Sequence, residues 1–317
     1  MTNLSSDNHT DSQTVLNQIV LEFMREQKRK RRGRWIMRGI IVLFMLSLFY
    51  NTSEFLLDDS AKKDKPHVGF IDVKGTVFAT EAASADNFLK GIQSAYQSKG
   101  LKAMIFRINS PGGSPVQADD IYHMIRHYHK RYPNIKTYAV CVDICASAAY
   151  YIAAATDEIY ANPASMVGSI GVLYNGFGFT DTLQKVGMTR RLQTAGVNKG
   201  FLDPFSPEKP AQKAFLQTLL NDVHEQFIKK VKEGRGTRLK IDDLTFSGLV
   251  WTGQQARERG LIDGFASAEE LARNKVKVHQ LIDYTHKENM LDKVSKTISE
   301  LDGNPLSALG LGKPGFQ

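Results

Sequence analysis

The segment TYAVCVDICASAAYYIAAA, Thr137–Ala155, decides the fold class of this chain. Its first eight residues, TYAVCVDI, are β-branched, aromatic and apolar enough to predict a buried strand. The alanine-rich run AAYYIAAA that follows predicts a buried helix. A single serine, Ser147, lies at the junction, where several hydrolases carry a nucleophile, yet the segment has no GxSxG motif and no histidine close by. If Ser147 is a nucleophile, another group must remove its proton.

Strands and helices alternate on both sides of this segment. Four stretches read as strands: HVGFIDVKG, KAMIFRIN, DEIYAN and GSIGVLY. Three longer stretches read as helices: SADNFLKGIQSAYQSKG, SPVQADDIYHMIRHYHKRY and EKPAQKAFLQTLLNDVHEQFIKKVKEG. Such alternation predicts βαβ units and a mostly parallel sheet, and therefore an α/β fold. We assign this domain to residues 66–285.

Positive charge is concentrated near the N-terminus. The chain of 317 residues has a net charge of +8, and residues 1–38 hold eight Lys or Arg against four acids, a net of +4. A basic tail on a nearly neutral body argues against a nucleic-acid-binding catalytic domain.

The two cysteines, Cys141 and Cys145, both fall in the predicted strand. In an extended chain they lie about 13 Å apart at about 3.3 Å per residue, beyond the reach of a disulfide. Zinc needs more ligands than this pair offers, so we expect two small buried hydrophobic residues and no metal.

The segment KRKRRGRWIMRGIIVLFMLSLFYNTSEF predicts a membrane anchor. Its apolar part is shorter than the ~20 residues that cross a bilayer, but extension to Leu57 supplies the missing length. The basic cluster on the N-terminal side places the N-terminus in the cytoplasm. The alternative, a buried soluble helix, is disfavoured by that cluster. We expect the following segments: a cytoplasmic basic tail over residues 1–34, an uncleaved transmembrane anchor over 35–57, a linker over 58–65 and a C-terminal tail over 286–317.

Histidine is a poor candidate for the base. His123 and His127 are four residues apart on one predicted helix, but a zinc peptidase motif needs Glu after the first histidine, and Met124 stands there. A lysine can serve if burial lowers its pKa from about 10.4 to about 7. Lys199, in TAGVNKGFLDPFSP, has apolar and glycine neighbours and is therefore a candidate. An ordinary loop lysine remains the alternative reading of Lys199.

The stretch RINSPGGSP offers backbone amides to a substrate. Its two glycines allow close approach of the main chain, so Gly112 or Gly113 could stabilise an oxyanion together with the amide of Ala148. An ordinary Pro-Gly turn is an equally open reading. Ser110 and Ser114 are rival nucleophiles, although neither lies at a strand-to-helix junction behind a buried strand.

Four stretches taken together resemble one known family. In order and spacing, they are similar to the signal peptide peptidase A family of Ser-Lys peptidases. The stretches are RINSPGGS, DICASAAYYIAAATDEIYANPASMVGSIGV, TAGVNKGFLDPFSP and VWTGQQARERGLIDG. The resemblance implies a Clp protease/crotonase-like ββα superhelix. It implies that Ser147 is the nucleophile, that Lys199 is the general base and that Ser169 orients the lysine. It assigns the oxyanion amides to Gly113 and Ala148.

The chain departs from the family at the two glycines that usually follow the nucleophile, which are Ala148 and Ala149 here. Substrate preference is therefore less transferable than mechanism. The resemblance implies a homo-oligomer whose dyads are completed across subunits, with no cofactor. It also implies a serine endopeptidase that cleaves hydrophobic peptides, such as remnant signal peptides after their release from preproteins. With the anchor, it implies a single-pass protein of the bacterial inner membrane with its catalytic domain on the outer, periplasmic face.

Two other functional classes compete with this interpretation. A crotonase-type enzyme acting on acyl-CoA esters could carry a similar SPGG loop, but such enzymes lack a Ser-Lys pair and usually lack an anchor. A catalytically inactive membrane scaffold is the third class, and the joint presence of Ser147, Lys199 and Ser169 disfavours it.

Overall fold

The computed structural model describes residues 28, 37–47 and 62–287. The chain divides into two compact units, Met1–Lys62 and Lys63–Gln317. In the first unit, residues 37–47 are helical. Among the described residues, no helix has both the length and the apolar character needed to cross a membrane. Nearly all of the predicted basic tail, about half of the predicted anchor and nearly all of the predicted C-terminal tail lie outside the described residues.

A mixed sheet forms the centre of the second unit, as the α/β prediction expected. Within the described residues its strands run in the order β6-β5-β3-β2-β1-β8, with β4 paired to β3 and β7 paired to β4. Pairing is parallel throughout except between β5 and β6. The strands are β1 His67–Lys74, β2 Leu101–Ser110, β3 Lys136–Ala146, β4 Glu158–Ala161, β5 Met166–Gly168, β6 Val250–Thr252, β7 Gly264–Phe265 and β8 Leu281–Asp283.

Helices lie on both faces of this sheet. They are α1 Ala85–Tyr96, α2 Pro115–Arg131, α3 Ala148–Ala153, α4 Thr180–Lys185, α5 Pro210–Arg235, α6 Gly253–Glu258 and α7 Ala268–Glu270, with a 3₁₀ turn at Gly236–Arg238 and a π-helical turn at Leu271–Val276. The helix starts follow local sequence, since Ser84 caps α1, Ser114 caps α2 and Thr252 forms a capping box at α6.

Strand β2 is buried on both faces, which accounts for its nearly continuous apolar sequence. Met104 and Phe106 face the main core with helices α1, α2 and α3. Ala103 and Ile105 face a smaller core closed by residues 268–281. The sheet is therefore the middle layer of three, and its strand β3 ends directly at Ser147.

Two local predictions were wrong. The predicted strand GSIGVLY is instead a strand over Met166–Gly168, because the backbone turns away at Gly168 (φ 112°) and Ser169 (φ 51°). The prediction that Cys141 and Cys145 lie far apart, as in an extended chain, is also wrong. Both are free and buried, but their side chains contact each other, because the three residues of β3 between them stand opposite a single residue of β2, Asn109. Burial first, and then the hydrogen bond to Cys141, raise the pKa of the Cys145 thiol well above its usual value.

Candidate active site

Ser147 occupies a strained turn between β3 and α3. Its backbone has φ 55° and ψ −127°, a conformation that non-glycine residues seldom adopt. The Ser147 amide donates to the Gly168 carbonyl at 2.8 Å, and the Ser147 carbonyl accepts from the Tyr151 amide at 3.0 Å, so both neighbouring elements hold the turn. The Ser147 hydroxyl does not cap α3. A side chain presented in this way is free to react, which is the geometry used by serine nucleophiles at strand-to-helix turns.

The Gly112–Gly113 turn packs directly against Ser147. A Cβ on Gly112, which has φ 113°, would lie 2.7 Å from the Ser147 Cβ and 3.1 Å from the Ala148 nitrogen. A Cβ on Gly113, which has φ 153°, would lie 2.4 Å from the Val77 carbonyl oxygen. Both positions therefore require glycine for close approach of the main chain.

Two residues that line the same cavity as Ser147, Gly113 and Ala148, have amides without a backbone acceptor in the described part of the chain. Val77 and Gly113 form a parallel bridge, in which the Val77 amide donates to Gly112 and the Ser114 amide donates to Val77. In this bonding pattern the Gly113 N–H points away from Val77. The Ala148 N–H is the first of α3 and has no partner within that helix. Such a pair can stabilise an oxyanion that develops on a carbonyl attacked by Ser147.

A cavity of about 620 Å³ joins most of the predicted site residues. The cavity is lined by four of them: Gly113, Ser147, Ala148 and Ser169. Its remaining walls are mainly aromatic and aliphatic: Phe78, Tyr151, Val172, Leu173, Val223 and Phe227. These side chains favour a hydrophobic ligand group next to the serine.

Tyr151 forms a neutral wall of this cavity. Its hydroxyl donates to the Asp119 carboxylate at 2.7 Å, and its ring stacks on Phe227 at 5.0 Å between centroids. Burial first, and then the hydrogen bond to Asp119, raise the pKa of Tyr151 far above its usual value. The phenol is therefore uncharged and fixed in orientation at neutral pH.

Ser169 is half-buried and lines the same cavity. Its amide donates to the Leu249 carbonyl at 2.8 Å, which ties it to the segment leading into β6. The preceding Gly168 also accepts the Ser147 amide. The two serines are thus linked through one residue of β5.

Lys199 lies apart from this cavity within a single chain. It is an exposed residue of a turn that begins after Gly196, to whose carbonyl its amide donates at 3.1 Å. It does not line the cavity that contains Ser147. The apolar residues beside it do not bury it, since Val197 is 94% exposed. One chain alone therefore does not bring Lys199 to Ser147.

The rival nucleophiles have structural roles. Ser110 is fully buried, and its hydroxyl accepts from the Gly112 amide at 3.2 Å. Ser114 caps α2 by accepting from the Gln117 amide. No histidine lines the cavity, and no group of His, Cys, Asp and Glu within the described residues could hold a metal ion.

The sequence did not predict two cavity residues on α5, Val223 and Phe227. They are apolar residues in a long helix, a pattern that an ordinary core contact produces equally well. Their position over Ser147 depends on how α5 crosses the sheet, and no local signal in the sequence marks it.

Comparison with known proteins points to one peptidase family. Residues 129–282 match the sequence profile of Peptidase family S49. The "Putative protease slr0021" of Synechocystis sp. is 31% identical over 200 residues, which are 63% of this chain and 70% of that protein. The "Putative signal peptide peptidase SppA" of Enterococcus faecium is 26% identical over 249 residues, which are 75% of this chain and 71% of that protein.

The first curated relatives are much longer than the matched region. The "Na(+)/H(+) antiporter NhaA" of Brucella abortus is 44% identical over 182 residues, which are 57% of this chain and 25% of that protein. This chain therefore spans about a quarter of the length of the first curated relatives it matches. Among solved structures, a mutant of the 1510-N membrane-bound stomatin-specific protease in complex with a substrate peptide aligns with a TM-score of 0.40 and 16% identity, covering 75% of this chain and 99% of that one.

Proposed function

Because the chain belongs to peptidase family S49, the signal peptide peptidase A family of serine proteases, we propose that it is a membrane-anchored serine endopeptidase that uses Ser147 and Lys199. The single observation that carries the proposal is the strained Ser147 in a cavity beside two backbone amides that lack a backbone acceptor among the described residues. Acyl transfer needs a nucleophile and oxyanion donors in this arrangement.

The proposed reaction has two stages. The Ser147 oxygen attacks a peptide carbonyl while neutral Lys199 takes the hydroxyl proton, and the Gly113 and Ala148 amides bind the oxyanion. The C–N bond then breaks, and the lysine returns the proton to the leaving amine. Water, deprotonated by the same lysine, hydrolyses the acyl-serine ester and regenerates Ser147. Ser169, which lines the cavity, orients the lysine.

We propose that the lysine comes from a neighbouring copy of the chain. Lys199 is exposed within one chain, and several large apolar side chains of the same region are exposed with it: Leu173, Phe177, Val186, Met188, Val197 and Phe215. Exposed apolar surface of this extent favours association. Burial of the amine in such an interface would favour its uncharged form, as a general base requires.

The proposed substrates are hydrophobic peptides, including remnant signal peptides after their release from preproteins. The aromatic and aliphatic cavity walls support this class, since they offer no charged partner to a polar side chain. The predicted anchor over residues 35–57 would keep the enzyme close to such peptides at the bacterial inner membrane, with the catalytic domain on the periplasmic face. The Clp protease/crotonase-like ββα superhelix also remains part of this proposal.

The test is hydrolysis of a fluorogenic apolar peptide by the full chain in detergent, beside Ser147→Ala and Lys199→Ala. We expect cleavage by the wild type and none by either folded variant. Coexpression of the two variants should restore part of the activity, because a mixed oligomer pairs an intact serine with an intact lysine from its neighbour. Persisting activity in Lys199→Ala would mean that another group is the base.

The two other functional classes give different outcomes in the same preparation. An acylating serine inhibitor should modify Ser147 only if the chain is a peptidase. Thermal stabilisation by a coenzyme A ester would favour the acyl-CoA enzyme instead. A properly assembled wild type that neither cleaves peptides nor reacts with the inhibitor would favour the scaffold.

A further inference from the structure

We infer that His224 is a positioning residue that holds the segment Ser169–Gly171 in its working conformation. The inference rests on the proposed function, in which Ser169 orients the lysine. His224 lies on α5, and its ring Nε2 is 3.0 Å from the Ile170 carbonyl oxygen. Because that oxygen can only accept, Nε2 must carry a hydrogen and donate.

The Ile170 carbonyl depends on this side chain. Ile170 is 1% exposed, and its carbonyl has no backbone donor within the described residues. Strand β5 ends at Gly168, so the sheet ladder does not reach Ile170. A buried carbonyl of this kind needs a partner, and α5 supplies it across the fold.

Three hydrogen bonds hold the segment, and only one of them involves a side chain. The Ser169 amide donates to Leu249 at 2.8 Å, and the Gly171 amide donates to the Ser169 carbonyl at 2.9 Å. Both are backbone bonds that remain whatever side chain is present, unless proline removes the donor N–H. Ser169 has φ 51°, a conformation that persists only where the surroundings over-determine it. Among the described residues, His224 supplies the side-chain hydrogen bond that restrains this strained turn.

His224 acts on the cavity from outside it. Val223 and Phe227, on the same part of α5, line the cavity, whereas His224 does not. The Nε2 atom that donates to Ile170 is used in this restraint and does not point into the cavity lining. This geometry assigns His224 to positioning and leaves the proton transfer to another group.

The experiment compares His224→Leu, which removes the donor, with His224→Gln, whose amide N–H can replace it. His127→Leu, which replaces an exposed histidine on α2, is the matched control. For each full-length variant in detergent we would measure kcat and KM on the apolar peptide, the pH profile of kcat/KM, and hydrogen exchange at the Ser169 and Gly171 amides.

We expect His224→Leu to lower kcat by about 10- to 100-fold with little change in KM, since a displacement of about 1 Å can cost that much. Exchange at the two amides should rise about five- to tenfold, the effect of one net hydrogen bond. His224→Gln should largely restore both readouts and keep the rising pH limb, and His127→Leu should match the wild type.

Unchanged exchange and unchanged kcat in His224→Leu would overturn the inference. Loss of the rising pH limb in His224→Gln would overturn it too, because the ring would then be titrating in the reaction. Exchange is measured whether or not peptides are cleaved. A wild type that is inert, with exchange altered as expected, would therefore uphold the restraint while refuting the proposed function.

Discussion

Gly112→Ala should disable Ser147 without unfolding the chain. The new Cβ would lie 2.7 Å from the Ser147 Cβ and 3.0 Å from the Ala146 carbonyl oxygen, whereas ordinary van der Waals contact begins at 3.4 Å. Relief of this overlap requires the serine and the glycine turn to separate by about 1 Å, and a misplacement of that size costs about 10²-fold in rate. The φ of 113° adds about 1–2 kcal/mol of backbone strain.

Gly75→Ala is the matched control for this substitution. Gly75 also has positive φ, 77°, but a Cβ there would meet nothing within 4 Å. The Gly75→Ala substitution therefore imposes backbone strain of a similar kind, about 1 kcal/mol, without moving the nucleophile. The two variants should unfold at similar denaturant concentrations and differ in activity.

The assay is the rate of covalent labelling of Ser147 by a serine-reactive inhibitor, read beside the denaturation midpoint. We expect Gly112→Ala to label about 100-fold more slowly than the wild type and Gly75→Ala to label within about threefold of it. Labelling of Gly112→Ala at the wild-type rate would refute the packing argument. An equal loss in Gly75→Ala would show that strain, rather than contact with Ser147, is responsible.

Three further predictions concern stability and specificity. Arg235 is 1% exposed and makes two hydrogen bonds to Asp263, so Arg235→Met should lower the free energy of unfolding by about 3–5 kcal/mol, against less than about 1 for the exposed Lys287→Met. Burial alone would raise the pKa of Asp263, but the interaction with Arg235 outweighs burial and lowers that pKa. The wild type therefore loses this stabilisation as the pH falls below about 4. The difference in free energy of unfolding between wild type and Arg235→Met, measured by urea denaturation, should decrease from about pH 6 to about pH 3. A difference in free energy of unfolding that increases on acidification would contradict this prediction. Phe227→Leu enlarges the cavity and should raise kcat/KM for peptides with a large aromatic side chain, relative to alanine peptides, by roughly tenfold; an unchanged ratio would remove Phe227 from the specificity site. Ser84→Ala removes the cap of α1 and should cost about 1 kcal/mol in urea denaturation with activity intact, whereas no loss would show that the 3.4 Å contact to the Asn87 amide contributes nothing.

Local pattern was sufficient for the nucleophile turn. An apolar β-branched run followed by alanines predicts a buried strand and a buried helix, and both appear, as β3 and α3, with Ser147 between them. At positions 112 and 113 the sequence indicated only that Pro-Gly-Gly permits close approach of the main chain, with an ordinary turn equally open. The structure shows that a Cβ at either position would meet neighbouring atoms.

Sequence reasoning failed where the backbone departs from the regular conformation and pairing of a β-strand. GSIGVLY alternates well enough to read as a strand, but the positive φ values at Gly168 and Ser169 end it after Gly168. Cys141 and Cys145 were expected to be far apart, and the bulge in β3 brings their side chains together. Both departures depend on the register with neighbouring strands, which a single segment does not carry.

The sequence by itself determined the elements that its own hydrophobic periodicity and capping residues specify: the alternating strands and helices, and a serine at a strand-to-helix junction. Only the tertiary structure decided what surrounds that serine. Val223, His224 and Phe227 lie on α5, more than 70 residues downstream of Ser147, and their place at or beside the cavity follows from packing between distant segments. The exposure of Lys199 is likewise a property of the folded chain, because burial depends on which surfaces meet and not on the residues adjacent in sequence.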